Sequence, residues 1–237
     1  MSLRHHPIAA QRERNVQIRA AAEQIAQSSQ VGPTGRSLPL VVLPANTRET
    51  APVPAELRGE FMARLRAAIA ADAPAHHDRT VASASASETT VAATAFAATP
   101  TREEEIEAIF GLGCATCRGE CCTAGGNHAF LRGESIPRIR EAHRHLGDDE
   151  LAGEYEASIP VRHYRGSCVF HTIVGCALPR TLRSDLCNRY VCGGLTQLRH
   201  ALEASEGNTA FVGAADSAHL RRLALVDPTA AVHIPLT

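Results

Sequence analysis

Eight cysteines carry the clearest chemical capacity in this chain. They are Cys114, Cys117, Cys121, Cys122, Cys168, Cys176, Cys187 and Cys192, and all fall in one window. Cys114-Ala-Thr-Cys117 is a C-x-x-C knuckle, followed by Arg118-Gly-Glu and the adjacent pair Cys121-Cys122. Two-residue spacing lets two thiolates turn toward one ion, and the intervening N–H groups can bond to sulfur. Gly113 and Gly119 suit the dihedrals of such a loop, and Gly125-Gly126-Asn127 leads the chain away. Further on, Cys168-Val-Phe-His171 runs through Gly175 to Cys176. The short apolar runs flanking Gly175 read as a hairpin with one cysteine on each side. Arg183-Ser-Asp-Leu-Cys187-Asn-Arg-Tyr-Val-Cys192 supplies the last two cysteines.

Buried apolar thiols would be scattered through the chain rather than confined to one window. A disulfide framework conflicts with the adjacent Cys121-Cys122 pair and with a reducing compartment. Metal ligation is therefore the expectation for all eight. They suffice for two zinc sites of four cysteines each, or for one four-cysteine iron–sulfur cluster with the rest in support. Thiolate suits both metals, so the expected cofactor is an iron–sulfur cluster or Zn2+. Among the histidines, His171 has the best spacing to join, three residues after Cys168. His128 and His163 read as surface or supporting residues, and His143 and His145 as solvated. Arg183 and Arg189 flank Cys187, and positive charge beside a thiol favours its ionised form. No catalytic residue can be assigned. The radical-type run C-x3-C-x2-C, the P-loop, G-x-S-x-G and H-E-x-x-H are all absent.

The order C-x2-C-x3-C-C, then C-x-F, G-C-x-L, R-x3-C and a final C resembles the YkgJ-type cysteine-cluster family. That family is described as a zinc- or iron-chelating domain. The resemblance covers Gly113 to Gly194, about a third of the chain. Three positions depart from the family pattern. Pro179 stands where an aromatic is common, Ser184 where a proline follows the arginine, and Asn188 where an arginine follows the cysteine. The cluster is also similar to that of flagellin lysine methylases, which implies a route to protein modification. Three functions follow as expectations. The first is a metal-binding protein. The second is a protein-modifying enzyme, and the third a zinc-stapled interaction module.

The elements that must position these cysteines are less explicit. Thr101 and Glu104 form a capping box, and Glu103 to Glu105 suit the positive end of a helix. This helix buries Ile106, Ile109 and Phe110 and is expected to stop at Gly111 and Gly113. A segment over Ile136 to Leu146 is amphipathic, and a helix is expected from about Leu195 to Ala204. The region Phe211 to Val226 reads as a strand pair or a loop, and His233 onward as a frayed tail.

Upstream, Ile8 to Gln30 reads as a helix with a weak stripe of Val16, Ala20 and Ile25. Leu38 to Leu43 could be a strand. Pro54 opens a second helix to about Ala71, with Leu57, Phe61, Leu65 and Ile69 four apart. The organisation expected is a helical N-terminal extension over 1–79 and a flexible Ala/Ser/Thr linker over 80–100. A cysteine-cluster domain then spans 101–237 with its core at 113–194. The fold class expected is mainly α with a short β-hairpin, a small cysteine-rich domain organised by metal. Aromatic content of 4% with no Trp supports the need for such a staple.

Formal net charge is −1, which gives the whole chain no pull toward nucleic acid or membrane. All the basic residues other than histidine are arginine. No apolar run reaches the length of a membrane span, and Met1 to Asn15 contains no apolar signal core. The expected location is cytoplasmic. The expected partner is a protein partner or protein substrate, not nucleic acid or membrane.

Overall fold

The computed structural model describes residues 6–29, 38–83 and 99–236. In chain order its elements are α1 (His6–Ser28), β1 (Leu40–Pro44), β2 (Thr50–Pro52), α2 (Ala55–Ser83) and α3 (Arg102–Cys117). Next come α4 (Ser135–Ala142), α5 (Asp148–Ala157), β3 (Arg162–Tyr164), β4 (His171–Thr172), β5 (Gly175–Cys176) and α6 (Asp185–Arg189). The last are α7 (Gly193–Glu203), β6 (Ala210–Ala215), β7 (Leu220–Val226) and β8 (Ala231–Ile234). They divide into two compact units. One draws on described residues within 1–47, 100–120 and 191–237, the other on those within 48–99 and 121–190. No described helix is long and apolar enough to cross a membrane.

The first unit is built on a four-stranded sheet of order β1-β6-β7-β8. β1 runs parallel to β6, with Leu40 opposite Phe211 and Pro44 opposite Ala215, and the other pairs are antiparallel. Strand alternation sorts its side chains into two layers. Val41, Leu43, Val212, Ala224 and Val226 pack with Ile106, Ile109 and Phe110 of α3 and Leu195, Leu198 and Leu202 of α7. Phe211, Leu223 and Ile234 point the other way and pack with Ala22 and Ala26 of α1. β6 is buried along its whole length, which explains its unbroken small and apolar sequence AFVGAA.

The second unit packs α2, α4 and α5 with two short strand pairs, β2–β3 and β4–β5. Its core is built around three aromatics. Phe61 meets Phe170 edge-on at 4.8 Å between ring centres, and Tyr155 lies 6.1 Å from Phe61. Leu65, Ile69, Ile136, Ile139, Leu151, Val169 and Leu182 fill the space around them. Arg140 is buried with them. It pairs with Asp72 at 3.2 Å and Asp148 at 2.7 Å, and donates to the Ile69 carbonyl at 3.1 Å.

These observations correct the expected fold class. The chain is not a mainly helical, metal-organised cysteine domain behind a helical extension. It contains a mixed four-stranded sheet, and the early residues supply structural parts: β1 to the first unit, β2 and α2 to the second. Apolar burial organises both units, with Phe61, Phe110, Tyr155, Tyr164, Phe170 and Phe211 all interior. The weak stripe on α1 is also corrected. Ile18, Ala22 and Ala26 face inward, whereas Val16 is exposed. The frayed tail is β8, paired with β7 from Leu223–Ile234 to Val226–Ala231. Residues 84–98 of the expected linker lie outside the described residues.

The aromatic core of the second unit predicts a large cost for removing its centre. Phe61→Ala should destabilise this unit by about 3–5 kcal/mol, read by urea unfolding followed by circular dichroism. A loss under about 1 kcal/mol would mean that Phe61 does not anchor the core.

Candidate metal centre

The eight cysteines divide between the units. Cys114, Cys117 and Cys192 belong to the first, and Cys121, Cys122, Cys168, Cys176 and Cys187 to the second. None is in a disulfide.

In the first unit the C-x-x-C run is helical rather than a loop. α3 begins at the Thr101–Glu104 capping box, continues through Gly111 and Gly113, and ends at Cys117. A glycine inside a helix costs about 1 kcal/mol. Gly113, however, is buried where a methyl group would stand 3.2 Å from Leu195 Cδ2. Its lack of a side chain lets α3 approach α7 closely. The helix is closed by Arg118 and Gly119, both left-handed at φ 59° and 64°. Their N–H groups return to the carbonyls of Ala115 and Cys114.

Two further residues hold this helix end. Arg222 donates to the carbonyls of Thr116 (2.6 Å), Cys117 (3.1 Å) and Asn46 (3.0 Å). Asn46 donates its backbone N–H to the Cys117 carbonyl and its side-chain amide to that of Arg118. A cation and an amide thus satisfy carbonyls at the negative end of the helix. Cys117 is buried and donates from Sγ to the Pro44 carbonyl at 2.8 Å, while Cys114 is exposed. Cys192 is the N-cap residue of α7.

In the second unit, cysteines from three separate stretches lie near enough to affect one another's proton affinity. Cys121 and Cys122 lie on a 3-10 turn over Glu120–Gly125. Cys168 donates its backbone N–H to the Cys122 carbonyl at 3.2 Å, and Val169 donates to Gly126 at 3.1 Å. Gly125 is pressed against Cys168, since a methyl group there would stand 2.8 Å from Cys168 Cβ and 3.2 Å from Sγ. Cys176 sits on β5, opposite His171 of β4. Cys187, on α6, has Sγ 3.8 Å from the Ala129 carbonyl. Ala129 and Phe130 both adopt left-handed backbone, at φ 46° and 55°. Such conformations cost energy in residues other than glycine and cluster at functional sites.

The proximity of the thiols is felt in their proton affinities. A hydrogen bond with Cys121, then burial, then the fields of Cys121, Cys168 and Cys176 push the Cys122 thiol up. Burial pushes Cys168 up to about 12, with Cys176 and Cys187 adding to it. Burial also raises Cys187, as do Cys176 and Cys121, against the lowering effect of Ser184 and Arg183. The sequence-based expectation that flanking arginines would ionise Cys187 is corrected, because burial outweighs Arg183. Among the described residues, no set of three or more His, Cys, Asp or Glu side chains is arranged to hold a metal ion.

Fixed groups hold the Cys187 segment. Arg183 donates to the Leu178 carbonyl at 2.8 Å and the Cys176 carbonyl at 3.3 Å. Arg138 pairs with Asp185 at 2.6 Å and donates to the Arg183 carbonyl. Tyr155 Oη donates to the Leu182 carbonyl at 2.6 Å. Ser184, Asn188 and Pro179 have local roles here. Ser184 caps α6 by accepting the Cys187 N–H at 3.1 Å, and Asn188 donates to the Arg180 carbonyl at 2.9 Å. Pro179 is the extended residue that opens the 3-10 turn at Arg180–Leu182.

The histidines sort differently from the expectation. His171 is buried with Nδ1 2.7 Å from Ser167 Oγ. His128 Nδ1 accepts the Phe130 N–H at 3.0 Å and so helps hold the left-handed turn. His163 was not favoured by spacing, yet it is buried and its Nδ1 has no hydrogen-bond partner. Burial lowers its pKa, with the Cys168 backbone acting in the opposite sense. Its position five residues before Cys168 was the only signal in the sequence.

Only thiolate reacts quickly with iodoacetamide. The raised pKa of Cys168 keeps it protonated through pH 8 and gives thiolate only as pH approaches about 12. Metal-free protein alkylated at pH 8 and mapped by mass spectrometry should therefore label the exposed Cys121 before the buried Cys168. Equal labelling rates would contradict this ordering.

No protein-family model, curated protein or solved structure matches this chain.

Proposed function

We propose that this chain is a metal-binding protein whose centre is held by cysteine thiolates of the second unit: Cys121, Cys122, Cys168, Cys176 and Cys187. The observation that carries this reading is the nearness of five cysteines from three separated stretches, which raise one another's proton affinity and form no disulfide. Sulfur donors fit an iron–sulfur cluster or Zn2+. Crowded thiols resist ionisation because each thiolate would repel the next. A bound cation reverses that balance and holds all its ligands deprotonated. Adjacent cysteines such as Cys121 and Cys122 favour a centre with more than one metal atom, and iron–sulfur is accordingly the form proposed first. The resemblance to the YkgJ-type family points the same way, on the cysteine pattern alone. A reducing compartment, the cytoplasm, suits eight cysteines without a disulfide.

The experiment is metal and acid-labile sulfide analysis, with an absorption spectrum, on full-length protein purified without air. A brown protein with iron and sulfide is the expected result. Zinc without colour would keep the thiolate centre and change its metal. Absence of both metals would overturn the reading.

A further inference from the structure

The net charge of −1 conceals a local asymmetry. The stretch 161–190 holds five arginines, Arg162, Arg165, Arg180, Arg183 and Arg189, against one acidic residue, Asp185. Asp185 is paired with Arg138. Arg165, Arg180 and Arg189 are exposed, and none makes an ion pair among the described residues. The same stretch carries exposed apolar side chains. Val174 is 93% exposed and Ile173 64%, with Tyr190 at 52% and Leu186 at 47%.

Ile173 and Val174 form the tip of the β4–β5 hairpin, whose register pairs Thr172 with Gly175. Gly175 at φ 108° completes the turn. Thr172 Oγ1 donates to the Gly175 carbonyl at 2.9 Å and accepts the Val174 N–H at 3.3 Å, which fixes its shape. Hairpin tips normally carry Asn, Asp or Gly. Two β-branched aliphatic residues there gain nothing from turn propensity and, at this exposure, little from packing. An exposed aliphatic tip on a stretch that also carries exposed arginines without ion pairs matches the chemistry of an anionic bilayer surface. The apolar side chains enter the acyl boundary while guanidinium groups meet lipid phosphates.

We propose that the Ile173–Val174 hairpin tip, together with the exposed arginines of the same stretch, forms a docking surface for anionic lipid membranes. The contact is peripheral, since a single small tip gives weak, salt-sensitive adhesion. It goes beyond the metal-binding reading and does not rest on it: the same hairpin carries Cys176, but the contact uses no thiol.

The test is co-sedimentation of the full chain with vesicles of phosphatidylserine and phosphatidylcholine, and with vesicles of phosphatidylcholine alone. The expected result is binding to the anionic vesicles only, lost at high salt. The double variant Ile173→Ser, Val174→Ser should bind about tenfold or more weakly. The chain has no Trp, so Val174→Trp places a sole indole at the tip, and its emission should shift to the blue on anionic vesicles. No sedimentation with anionic vesicles, equal sedimentation with both vesicle types, binding unaffected by the double variant, or an unshifted indole would each overturn the proposal.

Discussion

The contact between Gly125 and Cys168 is the constraint on which the thiols of the second unit depend. Val169 and Phe170 are fixed in the core, so Cys168, one residue earlier, has little freedom. Gly125 meets it at a distance that no side chain could share. The chain on either side of Gly125 must then carry Cys121 and Cys122 in and turn away through Ala129 and Phe130. The left-handed backbone of these two residues is the local cost of that wrap. Because the Ala129 carbonyl faces Cys187, the strained turn also helps set the fifth thiol. Arg183, Arg138 and Tyr155 support the same segment through backbone carbonyls, and Arg138 also pairs with the Asp185 carboxylate.

This arrangement puts folding and chemistry in opposition. Apolar burial around Phe61, Tyr155 and Phe170 brings neutral thiols together at low cost, since a protonated cysteine behaves as a small hydrophobe. The same burial makes thiolates unfavourable, which is why the pKa of Cys168 rises to about 12. A group whose folded pKa is raised stabilises the fold while it stays protonated. That contribution is complete below the unfolded value near 9.0 and fades as pH climbs toward about 12. A cation would remove the conflict by stabilising charge where the protein alone cannot.

Local signals were legible in the sequence. The capping box at Thr101, the helix over Leu57, Phe61, Leu65 and Ile69, and the turn at Gly175 could all be read from neighbouring residues. What escaped was non-local. β1 pairs with β6 across the length of the chain, and nothing in LVVLP or AFVGAA specifies that partner. α3 runs past Gly113 to Cys117, because that glycine admits Leu195 rather than ending the helix. In the site, cysteine clustering was plain, but the division between units was not, since Cys117 and Cys121 are close in sequence and belong to different units. His163 was passed over because its burial and unpartnered nitrogen are tertiary facts.

X-ray absorption at the edge of any metal that the purified protein carries tests the central claim most directly. Thiolate coordination predicts a shell dominated by sulfur at about 2.3 Å, lost in the double variant Cys168→Ser, Cys187→Ser. A shell of oxygen and nitrogen alone, or a sulfur shell unchanged in that variant, would contradict the assignment of the centre to the thiols of the second unit.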